Sequence, residues 1–190
     1  VLLSGTREFA IEAVVSSLCP ARRKKTLVIC NGADGEEAAL MMERVGRPHL
    51  RLTYKETSLP KASDVEKTLD EDRNISHVWL VHCESSTGML NPIGEIADVV
   101  KAKGRTLVVD ATATFGGLFI DMAALGVDVL IGRADAGLES LPGVAFVIAP
   151  KAALEIAMGE SHSPSLDLNS QWKAQESSGR FSTTPPTHAL

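Results

Sequence analysis

An α/β fold with a mainly parallel sheet flanked by helices is what this sequence predicts, on three observations. Short apolar runs rich in β-branched residues (Thr26 to Cys30, His77 to His82, Thr106 to Asp110, Val127 to Ile131) alternate with segments of helical apolar spacing. These runs open into polar or glycine-containing loops, as strands that feed crossover helices do. Finally, Leu107 to Asp110 places a carboxylate at the tip of such a run, with Gly116 and Gly117 beyond it, where an open parallel sheet collects its ligands.

In chain order, Gly5 to Glu8 reads as a turn opening a helix over Phe9 to Leu18, with Thr6 and Glu8 suited to its N-terminus. Thr26 to Cys30 is a strand ended by Asn31-Gly32, and Glu36 to Val45 a helix stopped by Gly46. Leu50 to Tyr54 reads as a strand, and Ser63 to Leu69 as a helix capped by Ser63 or Asp64. The strand His77 to His82 leads into a loop, Cys83 to Asn91, before a helix from Pro92 to Lys103 closed by Gly104. After the strand Thr106 to Asp110 come a short helix at Asp121 to Leu125, strands at Val127 to Ile131 and Gly143 to Ile148, and a helix at Ala152 to Met158. Ser161 to Pro186 is polar, Ser/Thr-rich and reads as largely loop. One domain is expected: residues 1–160 as its body, and 161–190 as a polar tail acting as an interface segment, with Trp172 covering apolar surface.

The chain's 190 residues suffice for a full core, and 44% hydrophobic with 23% charged residues places it among ordinary globular proteins and excludes disorder. A net charge of -5 gives no general attraction to nucleic acid or anionic membrane. Cys19, Cys30 and Cys83 are an odd set without paired spacing, and read as reduced thiols. With no signal peptide or membrane-length run in view, the expected location is a reducing intracellular compartment, cytoplasmic or organellar. The chain starts without Met, so residues before Val1 are expected to be missing. The histidines lack ligand spacing, and no metal is expected.

Five loops leave predicted strand ends or open helices: Gly5 to Glu8, Asn31 to Gly35, Cys83 to Asn91, Ala111 to Gly117 and Gly132 to Gly143. Gly5, Thr6 and Arg7 precede a helix whose free N–H groups favour an anion, although Thr6 also suits a plain cap and Glu8 would compete with a phosphate. His82 to Gly88 carries Ser85, Ser86 and Thr87, a density of donors suited either to a polar ligand or to a turn. His82 and Cys83 are no nucleophilic pair, since neighbours along a strand face opposite ways. Asp110 is either a ligand carboxylate or a cap.

Together these loops carry a resemblance. Phe9-Ala-Ile-Glu-Ala13, Asn31 to Glu36, Val81 to Pro92, Val108 to Gly117, Ala124 to Asp128, Leu141-Pro-Gly143, Arg180-Phe181 and Pro186 to His188 match in order and spacing the class V, fold-type I aminotransferases, most closely the 2-aminoethylphosphonate–pyruvate transaminases. The resemblance implies a large domain built to hold pyridoxal phosphate, with a small C-terminal domain falling beyond Leu190. It implies that Asp110 pairs with the cofactor's pyridine nitrogen and keeps it protonated. Ser85 would lie by the ring, Gly5, Thr6 and Arg7 around the phosphate, and a hydroxyl near Ser182 to Thr184, Thr184 among them, would reach a neighbouring subunit's phosphate. It also implies assembly as a homodimer, a heterodimer with an active relative, or part of a larger particle.

The departures from the family are as informative. The lysine that forms the Schiff base falls at Ala136, and no lysine occurs between Lys103 and Lys151. Asp34 takes the place of the aromatic residue that stacks on the ring, and Glu37 that of a common basic residue. No catalytic residue is therefore assigned. An inactive aminotransferase-like protein with a binding or structural role is expected, the cofactor not covalently bound and even lost. The alternative is an active enzyme moving an amino group from 2-aminoethylphosphonate to pyruvate.

Overall fold

A computed structural model describes residues 1–189. Its centre is a seven-stranded sheet of β1 (Leu2–Ser4), β2 (Lys25–Cys30), β3 (His49–Thr53), β4 (Ile75–Val81), β7 (Thr106–Asp110), β8 (Val129–Arg133) and β9 (Val144–Ile148), ordered β1-β9-β8-β7-β4-β2-β3. The five strands from β3 to β8 in that order run parallel, while β9 lies antiparallel to β8 and β1 antiparallel to β9. The α/β expectation holds.

Strand alternation divides the core. Leu27, Ile29, Val78, Leu80, Leu107, Val109 and Leu130 point to one face. There they meet α3 (Ala62–Glu71), α4 (Ile93–Ala102) and α5 (Met122–Leu125). Val28, Cys30, Trp79, Val108, Val129 and Ile131 point to the other. That face is covered by α1 (Arg7–Ser17), α2 (Ala33–Val45), α6 (Lys151–Ile156) and α7 (Leu168–Ser178). Burial on both sides explains why the central strands are continuously apolar in sequence. Each fully buried aliphatic side chain here contributes about 1.5–3 kcal/mol of transfer free energy.

Four expectations need correction. The turn at the start of the chain is preceded by a three-residue edge strand, β1, too short to show a period. The loop Cys83 to Asn91 contains a small hairpin, β5 (Cys83–Glu84) with β6 (Met89–Leu90). Neither Ser63 nor Asp64 caps α3: Lys61 is its N-cap, and the Asp64 carboxylate instead accepts from the Tyr54 hydroxyl at 3.0 Å. The polar tail is not mainly loop. It forms a 3₁₀ turn, Pro164–Leu166, and then α7, whose start is capped by the Asp167 carboxylate accepting from the Asn169 N–H at 2.9 Å. Leu166 and Leu168 join the α1 side of the core and Trp172 packs against it, as expected of that residue.

Candidate functional site: a charge cluster at the strand tips

Register brings the tips of the central strands level. Val81 lies beside Asp110, and Asp110 beside Ile131. The chain turns outward in both directions from β2 and β4, the switch point at which a parallel sheet opens a crevice. The loops after β2 and β4 are tied across it by a reciprocal amide pair, Asn31 Nδ2 to Asn91 Oδ1 at 2.7 Å and Asn91 Nδ2 to Asn31 Oδ1 at 3.0 Å. Asn91 also donates to the Val81 carbonyl at 2.8 Å.

Asp110 sits at the tip of β7, 1% exposed. Its Oδ1 accepts from the Thr112 N–H at 3.0 Å and the Thr112 hydroxyl at 2.6 Å. Its Oδ2 accepts from Arg7 Nη2 at 3.0 Å. Arg7, in the first turn of α1 and 7% exposed, also meets Asp34 Oδ1 at 3.3 Å and donates through Nη1 to the Glu37 carboxylate. Burial opposes the charge on Arg7, but Asp110, Glu37 and Asp34 outweigh it and hold the guanidinium above its ordinary pKa. The remaining oxygen of Asp34 accepts from the Ser85 N–H at 2.6 Å.

Glu84, fully buried in β5, completes the cluster. Its two oxygens accept from the Asp34 and Gly35 N–H groups at 2.9 and 3.0 Å, so it caps the N-terminus of α2 from the neighbouring loop. Glycine makes this possible: a Cβ on Gly32 would lie 2.5 Å from the Glu84 carboxylate. Burial raises the pKa of Glu84, and Asp34 and Asp110 add to that, while the two backbone donors work against it.

The residues expected around a cofactor are placed as follows. Gly5, Thr6 and Arg7 link β1 to α1, beside Asp110 through Arg7. The Thr6 hydroxyl donates to Glu8 at 2.5 Å and makes no cap bond, and this contact lowers the pKa of Glu8. Ser85 is on the hairpin turn, exposed, its backbone bound to Asp34. Thr184 is joined to the end of β1, its carbonyl accepting from Ser4 Oγ at 3.2 Å. Ala136 is half-buried in the loop after β8. That loop is pressed against the one after β7: a Cβ on Gly137 would fall 2.4 Å from the Gly117 nitrogen, and one on Gly116 2.8 Å from the Gly137 carbonyl carbon. Glu84, Thr112, Asn31 and Asn91 were not singled out from the sequence. The signal for Glu84 was the pair of glycines, Gly32 and Gly35, facing a lone acid in the next loop. Among the described residues no group of three or more His, Cys, Asp or Glu could hold a metal ion.

These residues do not fit pyridoxal phosphate as the resemblance would have it. The outward oxygen of Asp110 is taken by Arg7, the Thr6 hydroxyl by Glu8, and Ala136 offers no amine. Asp110, Asp34 and Glu84 are buried and bonded to groups of the chain itself, and Glu37 is taken up by Arg7, which leaves no free base or nucleophile among these four.

A mainly parallel sheet with this switch point and a strand-tip acid defines an open α/β domain with its crevice at the carboxyl ends of the strands. The model of the family "Aminotransferase class-V" matches residues 1–190, and the chain belongs to that family. A 2-aminoethylphosphonate–pyruvate transaminase of Syntrophobacter fumaroxidans is 43% identical over 191 residues, covering 100% of this chain and 51% of that protein. One from Pseudomonas fluorescens is 43% identical over 190 residues, with the same coverage. The chain thus spans about half the length of the curated relatives it matches. Among solved structures, an aspartate aminotransferase of Thermus thermophilus matches with a TM-score of 0.87 and 28% identity, over 100% of this chain and 52% of that one. Pyridoxamine–pyruvate aminotransferase of Mesorhizobium loti matches with a TM-score of 0.88 over 98% and 48%, at 23% identity, a likeness of fold alone.

Proposed function

We propose that this chain is a class V aminotransferase scaffold, similar to the 2-aminoethylphosphonate–pyruvate transaminases, that has given up transamination and serves a binding or structural role. The observation that carries the reading is the pairing of Arg7 with Asp110 in a chain that has Ala136 where the amine belongs. Transamination needs an amine to form a Schiff base and then move a proton, and no residue at the strand tips supplies one. Supplied with pyridoxal phosphate, 2-aminoethylphosphonate and pyruvate, the protein is expected to form no alanine and to show no borohydride-reducible adduct. Alanine formation at high protein concentration would restore the alternative, an active transaminase, which the 43% identity favours.

The role we assign is exercised in an assembly, as a homodimer, a heterodimer with an active relative or part of a larger particle, in a reducing intracellular compartment, with residues 161–190 contributing to the contact. Support comes from the loops after β7 and β8, where Phe119 is 93% exposed and Leu118, Leu138 and Leu141 are exposed nearby in sequence. The mass of the native particle tests this, a monomer being the contrary result. No helix of the described residues is long and apolar enough to cross a membrane.

A further inference from the structure

We propose that Arg7 is a built-in cation that occupies Asp110 and closes the crevice at the strand tips to a pyridinium ligand, so that the folded chain needs no cofactor there. The proposal rests on the non-transaminating reading above but concerns a separate property, the occupancy of one carboxylate oxygen.

A carboxylate as buried as Asp110 needs a cation or a proton beside it. Thr112 satisfies the inner oxygen, and the outer one faces Arg7. A guanidinium and a protonated pyridine nitrogen are the same kind of partner for that oxygen, a positively charged planar N–H donor, and only one of them fits on it at a time. Arg7 is also held by more than Asp110. Asp34 flanks the same nitrogen, Nη2, and Glu37 takes Nη1. Asp34 in turn is fixed by the Ser85 N–H. A ligand that displaced Arg7 would break contacts to three carboxylates and regain one.

The three carboxylates come from two segments, α2 and β7, and two of them, Asp34 and Glu37, are positions at which the sequence departs from the family pattern. Those two departures and Arg7 therefore form one connected network around the retained acid. Asp34 does two things at once: it removes the face on which a ring would stack, and it supplies a second charge for the cation that takes the ring's place.

The test uses pyridoxamine 5′-phosphate, which has no aldehyde to react with surface lysines, in equilibrium dialysis against the 190-residue chain. Arg7→Met keeps most of the side-chain stem and removes the charge. It is expected to bind the probe at least about tenfold more tightly than the unaltered chain, a difference of about 1.4 kcal/mol, and the gain should vanish in Arg7→Met/Asp110→Asn. A natively folded Arg7→Met that binds no better, a gain that survives in the double variant, or Asp110-dependent binding by the unaltered chain each overturns the proposal. Should Arg7→Met not fold, nitrogen-15 spectra of the unaltered chain decide. An immobilised guanidinium with separately resolved Nη signals that collapse in Asp110→Asn supports the proposal, and its absence, or indifference to Asp110→Asn, overturns it. Alanine formation would sink the functional reading alone, while these binding and spectroscopic results bear on Arg7 alone.

Discussion

The two ends of the same sheet bury their ionisable groups in different company. At the carboxyl end Arg7, Asp110, Asp34 and Glu84 are drawn from water together, and each charge has a partner or a donor. At the amino end a groove of about 610 Å³ runs past Leu18, Cys19, His77, Val129 and Ile156, and there Cys19 and His77 lack partners strong enough to offset burial. Burial pushes the Cys19 thiol up to about 12, against weaker opposition from Thr26 and Arg47. Burial likewise pulls His77 down to about 4, against the pull of Asp128. Burial with little opposition favours the neutral form of Cys19 and His77, whereas the carboxylates around Arg7 outweigh burial and favour its charged form.

The sharpest way to break this contrast is to remove the cation at the centre of the strand-tip cluster. Arg7→Ala leaves Asp110, Asp34 and Glu37 facing one another, and urea unfolding should show a loss of about 3–5 kcal/mol. Next comes pH at the amino end. The folded pKa of His77 lies below its ordinary 6.5, at about 4, so the unfolded chain takes up the proton first. Stability is therefore full above about pH 6.5 and falls as pH drops toward 4, by up to about 3 kcal/mol, and His77→Gln should flatten that slope. A smaller effect is expected from Asn91→Ala, which deprives Asn31 and the Val81 carbonyl of partners and should cost about 1–3 kcal/mol by the same measurement. Smallest is Ile156→Ser on the rim of the groove: Ile156 is 80% exposed, and the change should stay within about 0.5 kcal/mol. A large loss there would mean that the groove is covered in solution.

The elements that define the fold were legible because they are periodic and buried. Thr106 to Asp110 was read with the bounds it has, since the apolar run Leu107 to Val109, packed on both faces, is bracketed by Thr106 and Asp110. The misses were elements held by contacts the local sequence does not display. β1 is three residues at an edge, fixed by pairing with β9. α7 is polar along most of its length and is anchored by the Asp167 cap and by Leu168 beneath α1. The site divides in the same way. Asp110 announced itself as an acid at a strand tip, and Ala136 and Asp34 as departures from a family pattern. That Arg7 reaches Asp110 could not be read locally, because 103 positions separate them and only the strand order brings them together.

The Arg7 network also bears on how freely this chain can change. Its charged members come from three segments, α1, α2 and β7, and substituting Arg7 or Asp110 strands a partner in a buried setting. The loss, about 3–5 kcal/mol when a buried pair is broken, is a large part of the roughly 5–15 kcal/mol that holds a domain folded. A mutational path that empties the crevice one residue at a time passes through poorly folded intermediates, and the open path exchanges partners in pairs. The cluster acts as a ratchet, and a lineage that acquired it would find the way back to a cofactor steeper than the way in.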